Sequence, residues 1–360
     1  MIHEGQATLQ GTVPTNISRK LPVFYNPAMT HNRDLTIAFL NAWNKNIQAA
    51  DVLAASGVRS IRLLQECKNV RFVAANDASK TACRLMQKNL VLNKIAKKKY
   101  AVSNQDASQF LLQSKGFDYI DIDPFGSPNP FLDSAVKRLA RGGVLAVTAT
   151  DTAALAGAIP KACVRKYWAV PLKKESMHEI GIRILVRKVQ LIAAQYDKAL
   201  IPVFSYAAQH YVRVFLMNTK GKQAVDAILE NHASLGYCKT CGTHVISPPA
   251  ACSCGESYVH AGPLWTGQLW DAQLVSHMQS SCTQCTRFIS LLAREARVPT
   301  VGIFDLNLLA KKFKKTLPKR EEFIHQLQKA GYQAAPTHFL GSAIRTNAPL
   351  SFLEFAHRNQ

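Results

Sequence analysis

The sequence has no run of eighteen or more apolar residues, no leading apolar segment of the secretory type and no lipidation signature. A membrane-spanning or lipid-anchored protein is therefore the weaker expectation, and a cytoplasmic one the stronger. Acidic side chains are scarce: 23 Asp and Glu stand against 44 Lys and Arg, a formal charge of +21. An excess of that size implies a polyanionic partner bound with steep salt dependence, and nucleic acid fits better than an anionic membrane. Cysteine is thin outside one region. Only Cys67, Cys83 and Cys163 lie outside 238–285, where the other six crowd into C-x-x-C and C-x-C pairs. That distribution speaks for metal ligation over a secreted disulfide scaffold. Also missing is a G-x-G-x-x-G fingerprint, which counts against NAD or FAD because a pyrophosphate needs close backbone approach.

What is present reads as two domains, since 360 residues with 48% hydrophobic content can build two cores. From Ala50 to Thr150 short apolar runs (DVLAA, RFVAAND, YAVSNQD, FDYIDID, GGVLAVTAT) alternate with amphipathic stretches. This alternation predicts a doubly wound, Rossmann-like α/β sheet. Ser79 to Leu92 carries Ala82, Leu85, Met86 and Leu90 at helical spacing and Lys80, Arg84 and Lys88 on the other face, so a surface helix is expected. A loop-rich stretch through Pro160 and Pro171 precedes a helix from Ile180 to Tyr196. ALIPVFSY and HYVRVFLM then read as a hairpin closing the sheet with an antiparallel edge. The polar NTKGK segment, 218–222, sets the expected boundary between a 1–217 domain and a smaller α+β domain over 218–360.

Ligands of open α/β sheets bind beyond the carboxyl ends of the strands. Asp51 is expected to begin the first strand, with Gly57 at the turn that follows it. Asp77 is placed at the end of the second strand, where an acid can hold ribose hydroxyls, and Asp106 at the end of the third, within reach of an adenine amino group. A pocket for adenosine without a pyrophosphate loop points to S-adenosylmethionine, and Arg33 and Arg59 are candidate forks for its carboxylate. The fourth strand ends in Asp121-Ile122-Asp123-Pro124-Phe125-Gly126-Ser127-Pro128. Alone, such a segment is a Pro-Gly turn. After three strand-end acids it becomes a site for an exocyclic amine, whose delocalised lone pair needs orienting acceptors and removal of a proton. Asp123 and the Pro124 carbonyl are acceptors of that kind, and Phe125 can stack on a base.

The segments VFYNPAM, HNRD, SGVRSIR, DIDPFGSP, TATDTAALAGAIPKACVRKYWAVPL, HEIGIRILV and GPLWTG, spread from Pro22 to Thr337, resemble the tRNA (guanine-26-N2) dimethyltransferase family. That resemblance implies stepwise transfer of two methyl groups from S-adenosylmethionine to N2 of guanine 26 in tRNA. It implies cofactor contacts for Arg33, Arg59, Asp77, Asp106 and Ala107, the catalytic role for Asp123, and a base held by Phe24 and Phe125 alongside Pro124. No cysteine nucleophile is required, unlike cytosine-C5 methylation. Mono- and dimethylated products remain open, as does a target such as adenine N6. A catalytically silent RNA-binding protein of the same fold is the reading from another class. A monomer without an obligate protein partner is expected.

Cys238-Lys239-Thr240-Cys241-Gly242 and Cys252-Ser253-Cys254-Gly255 resemble the two knuckles of a zinc ribbon, with a structural Zn²⁺ held by four thiolates and no open position for water. The second pair is C-x-C, which leaves open whether Cys252 and Cys254 are both ligands. Cys282 with Cys285 is the alternative pair, and His244 and His260 are substitutes. Trp265 and Trp270 read as interface packing. The lysines of LAKKFKK read as a solvated helix face with phosphate contact as a secondary role.

Overall fold

The computed structural model describes residues 1–11, 23, 25–281, 284–317 and 319–358. A short antiparallel hairpin, β1 (Ile2–Glu4) with β2 (Ala7–Leu9), opens the chain and leads to α1 (Thr30–Ala42). The sheet region follows as β3 (Ile47–Asp51), α2 (Val58–Glu66), β4 (Val70–Asn76), α3 (Lys80–Leu92), β5 (Tyr100–Ser103), α4 (Ala107–Gln113), β6 (Phe117–Ile122), α5 (Asn129–Arg138) and β7 (Leu139–Ala149). Next come α6 (Thr152–Leu155), α7 (Pro160–Tyr167), α8 (Met177–Ala194), β8 (Lys198–Ala208) and β9 (Tyr211–Lys220). Strand order is β5-β4-β3-β6-β7-β9-β8. The first five of these pair in parallel, and β9 is antiparallel to both β7 and β8. The order reverses between β3 and β6, and such a switch point leaves a crevice at the strand ends for a ligand. The hairpin expected from ALIPVFSY and HYVRVFLM is β8–β9.

Two features differ from the sequence reading. Asp51 ends the first strand instead of beginning it, because the strand is IQAAD. The apolar VLAA after it is a buried loop, with Val52 donating to the Asp121 carbonyl and Ala54 to that of Asn76. The stretch after Asp151 is helical, since Pro160 sits at the first position of α7, where its missing N–H costs nothing. Cys163 is therefore a buried residue of a helix. The NTKGK segment is the end of β9 plus a turn at Gly221, whose φ of 137° favours glycine.

Beyond Gly221 come α9 (Lys222–Glu230), β10 (His232–Cys238), β11 (His244–Ile246), β12 (Tyr258–Trp265), α10 (Ala272–Met278), α11 (Thr286–Glu295), β13 (Phe304–Asp305), α12 (Leu306–Phe313), α13 (Arg320–Lys329), β14 (Ala334–Pro336), β15 (Ala343–Thr346) and α14 (Leu350–Arg358). They form two three-stranded antiparallel sheets, β11-β10-β12 and β13-β15-β14. One apolar core runs from the seven-stranded sheet into this region, taking in Trp265, Trp270 and Ile289. Both tryptophans pack as expected, with the Trp270 indole N–H donating to the Ser205 carbonyl at 2.7 Å. A smaller core gathers Leu309, Phe323, Leu327 and Ile344.

The two regions are also joined by a buried charge network. Arg345 donates to Glu179 at 2.8 Å and to Glu295 at 3.1 Å, Arg183 donates to Glu179 at 2.8 Å, and all four are almost fully buried. Burial alone would raise the Glu179 carboxyl, but Arg345 and Arg183 bring it down to about 2. Among the described residues no helix is long and apolar enough to cross a membrane.

Candidate active site and metal centre

A cavity of about 780 Å³ opens at the switch point. One wall is the loop after β3 and the end of β4, with Ala54, Ala55, Asp77 and Ser79. Gln209 and His210 of the β8–β9 turn, Tyr211 at the start of β9, and Asp123, Pro124 and Phe125 also line the cavity. Gly57 caps α2 with a φ of 79°, and a Cβ there would lie 2.5 Å from Met86 Cγ, so the turn beneath the cavity admits only glycine without a shift of Met86.

The Asp123 carboxylate is ion-paired with Arg59, which also donates to Asn32 Oδ1 at 3.0 Å and Thr36 Oγ1 at 3.2 Å and lies 3.3 Å from Asp121. Arg213, fully buried on β9, donates to Asp121 at 2.6 Å, to Thr148 at 2.6 Å and to Thr36 at 3.1 Å. Burial works against ionisation of Asp121, but Arg213 and Arg59 hold its carboxyl below the usual range. Asp51 differs. Burial pushes it up to about 6 despite Arg59, with the Asp121 charge acting in the same direction as burial and the Ser60 hydroxyl donating to it at 2.7 Å. The site thus rests on a buried lattice of two arginines and two aspartates beneath one partly exposed acid, Asp123.

Most of the residues singled out by sequence converge here. Arg33, Arg59, Asp77, Asp123, Pro124 and Phe125 all line the cavity, and Phe125 is 41% exposed. Asp77 accepts from the backbone N–H of Ala55 at 2.9 Å and of Ser79 at 2.8 Å, which fixes it at the strand end. Asp106 and Ala107 are not among the cavity-lining residues. The Asp106 carboxylate caps α4 by accepting from Ser108 and Gln109, and Ala107 is buried in that first turn. Phe24 lies outside the described residues. Arg33 is a cavity residue whose fork is already engaged by Glu4, at 2.6 and 2.5 Å. Sequence reasoning missed Glu4, Arg213 and Tyr211. The one signal for Arg213 is a cation inside the apolar run HYVRVFLM, a position that only a buried acid makes tolerable.

The sulfurs of Cys238, Cys241, Cys252 and Cys254 all lie within 4.8 Å of one another, with Cys238–Cys254 at 3.5 Å and Cys241–Cys252 at 3.4 Å. Tetrahedral thiolates at about 2.3 Å from a zinc ion would be about 3.8 Å apart, so the spacing suits a metal. The C-x-C pair is brought into the cluster whole. Gly242 and Gly255, at φ 71° and 85°, close the two knuckles. His244 is turned elsewhere, to the Ser176 hydroxyl at 2.8 Å, and His260 is exposed. Of the alternative pair, Cys282 lies outside the described residues and Cys285 is the buried N-cap of α11.

The sheet order, the crevice without a pyrophosphate loop and the strand-end acids define a Rossmann-like methyltransferase-class α/β protein. The family model for N2,N2-dimethylguanosine tRNA methyltransferase matches residues 4–357. A tRNA (guanine(26)-N(2)/guanine(27)-N(2))-dimethyltransferase of Aquifex aeolicus is 39% identical over 95% of this chain and 91% of its own. The tRNA (guanine(26)-N(2))-dimethyltransferase of Methanobrevibacter smithii is 37% identical over 97% and 94%. The solved structure of Trm1 from Pyrococcus horikoshii with S-adenosyl-L-methionine superposes with a TM-score of 0.88 at 33% identity, covering 99% of this chain and 98% of that one. The chain belongs to the N2,N2-dimethylguanosine tRNA methyltransferase family.

Proposed function

We propose that the protein transfers methyl groups from S-adenosylmethionine to the exocyclic N2 of guanine 26 in tRNA, giving N2-methyl- and then N2,N2-dimethylguanosine. The observation that carries this reading is Asp123, which lines the cavity along with Asp77 and the β8–β9 turn and is ion-paired with Arg59. In this reading Asp77 takes the ribose hydroxyls of the cofactor, Asp106 and Ala107 serve its adenine, and Arg33 and Arg59 face its carboxylate end. Phe125 stacks on the base, with Phe24 on its other side.

The cofactor supplies the electrophilic methyl group, and the protein's residues supply orientation. Asp123 and the Pro124 carbonyl accept the two N2 hydrogens, which turns the nitrogen lone pair out of conjugation and along the line of displacement. As the nitrogen–carbon bond forms and the sulfur–carbon bond breaks, the N–H becomes acidic and its proton passes to the Asp123 carboxylate. A second cycle needs only one N–H, which is what a secondary amine retains. The four cysteines would hold a structural Zn²⁺ that ties the end of β10 to the loop between β11 and β12, and it takes no part in the chemistry. The protein is taken to act as a cytoplasmic monomer. Incubation with unmodified tRNA and labelled S-adenosylmethionine, followed by nucleoside analysis, is expected to give dimethylguanosine at position 26. Absence of any methylated guanosine would overturn the reading.

A further inference from the structure

Helix α7 has two unlike faces. Cys163 and Tyr167, four residues apart, are fully buried. Lys161, Val164 and Arg165 follow one another at the i, i+3, i+4 spacing of a single helix face, the C-cap Trp168 comes next, and all four are exposed, Trp168 by 48%. Ile159 and Val170 extend the apolar part of this surface at its two ends. Trp168 holds a left-handed backbone, φ 58° and ψ 36°, an outlier for a bulky side chain that persists where surrounding structure enforces it. Its N–H donates to the Val164 carbonyl, Arg187 donates to its carbonyl at 3.3 Å, and the nearly buried Lys188 places its ammonium on the indole face. A tryptophan fixed this firmly is displayed to solvent, not tucked away.

The helix is anchored to the loop beside the cavity. The Tyr167 hydroxyl donates to Asp151 at 2.5 Å and is 3.1 Å from the Ser127 hydroxyl, and the Asn129 amide donates to the Lys166 carbonyl at 2.7 Å, so α7 is tied to the loop that carries Asp123 and Phe125. On its other side Val170 exchanges two backbone hydrogen bonds with Gly262 on β12, in the sheet that ends in the cysteine knuckles. An aromatic plate among cations, on a helix bonded to the loop of the amine site and followed by a residue paired with β12, has the chemistry of a single-strand platform: bases stack on the indole and phosphates meet Lys161 and Arg165.

We propose that the exposed face of α7, centred on Trp168, docks the RNA strand adjoining the target nucleotide. This rests on the tRNA substrate of the proposed function, and binding is therefore measured apart from turnover. Affinity for unmodified tRNA, its salt dependence, kcat at saturating tRNA, S-adenosylmethionine affinity and sedimentation are compared for the intact protein, Trp168→Ala, Trp168→Phe and the double variant Lys161→Glu/Arg165→Glu. Trp168→Ala is expected to weaken tRNA binding about tenfold and Trp168→Phe to restore most of it, as stacking predicts. The double variant is expected to lose about tenfold as well and to flatten the log–log salt slope by about 1 to 2. kcat and cofactor affinity stay unchanged. Unaltered tRNA affinity in Trp168→Ala and in the double variant overturns the inference while leaving the proposed function standing if the intact protein methylates tRNA. A protein that binds tRNA through this face but produces no methylguanosine overturns the function instead. Variants that change only the sedimentation of the protein show a self-association face and overturn the RNA assignment.

Discussion

Arg213→Met is the most demanding test of how the site is built. The guanidinium is fully buried and makes the 2.6 Å ion pair to Asp121, along with bonds to Thr148 and Thr36 and one of 3.2 Å to the Tyr119 hydroxyl. A methionine of similar length fills the volume but strands the Asp121 charge, with Arg59 its one remaining cation among the described residues. Breaking a buried pair on one side costs about 3–5 kcal/mol. For 360 residues unfolding as a unit, with an unfolding entropy of roughly 2 cal/mol/K per residue, that corresponds to a fall in Tm of about 4–7 °C. Function should suffer beyond stability, because Arg59 is then drawn to Asp121 and away from Asp123. Thermal melts and single-turnover methylation at a temperature where the variant is fully folded separate the two effects. Asp121→Asn/Arg213→Met removes both charges and should recover at least half of the lost stability. A single variant that loses under 1 kcal/mol, or a double variant no better than the single, would refute the reasoning.

Acid stability follows from two carboxylates. Glu4 is raised by burial yet brought down to about 2 by Arg33 and Arg62, and Glu179 likewise to about 2 by Arg345 and Arg183. With unfolded values near 4.5, each folded value is depressed, so the stabilisation is complete above pH 4.5 and is lost as pH falls toward 2; a shift of that size amounts to about 3 kcal/mol per group. Glu4→Gln should remove part of that acid dependence in a pH-dependent melt, and an unchanged profile contradicts the assignment. Cys238→Ser and Cys241→Ser should each abolish stoichiometric zinc in elemental analysis; full zinc content would remove them from the ligand set. Gly57→Ala should weaken S-adenosylmethionine binding in calorimetry and lower stability by about 1 kcal/mol or more, because it forces a left-handed φ on alanine and displaces Met86.

The alternating apolar runs make the parallel sheet legible in the sequence, and with it the strand-end positions of Asp77 and Asp123. The same logic failed at Asp51, where a buried loop, VLAA, is as apolar as a strand and periodicity cannot tell them apart. Helix α7 was hidden by Pro160, read as a breaker when it occupies the one helical position that suits it. Glu4 lies 29 residues from Arg33 and 58 from Arg62, and Arg213 lies 92 from Asp121. Partnerships at that separation are set by topology, and local pattern carries no trace of them beyond a charge where an apolar residue is expected. The cysteine spacing named four candidates but left open whether Cys252 and Cys254 both join the cluster, because their convergence depends on the antiparallel pairing of β10 with β11 and β12.

The account turns on Asp123 as the acceptor that orients and deprotonates the guanine amine. The direct measurement is nucleoside analysis of unmodified tRNA after incubation with labelled S-adenosylmethionine and either the intact protein or Asp123→Ala, with cofactor and tRNA binding measured alongside. Dimethylguanosine at position 26 from the intact protein, and none from a variant that still binds both substrates, is the predicted result. Near-normal turnover by Asp123→Ala would contradict it.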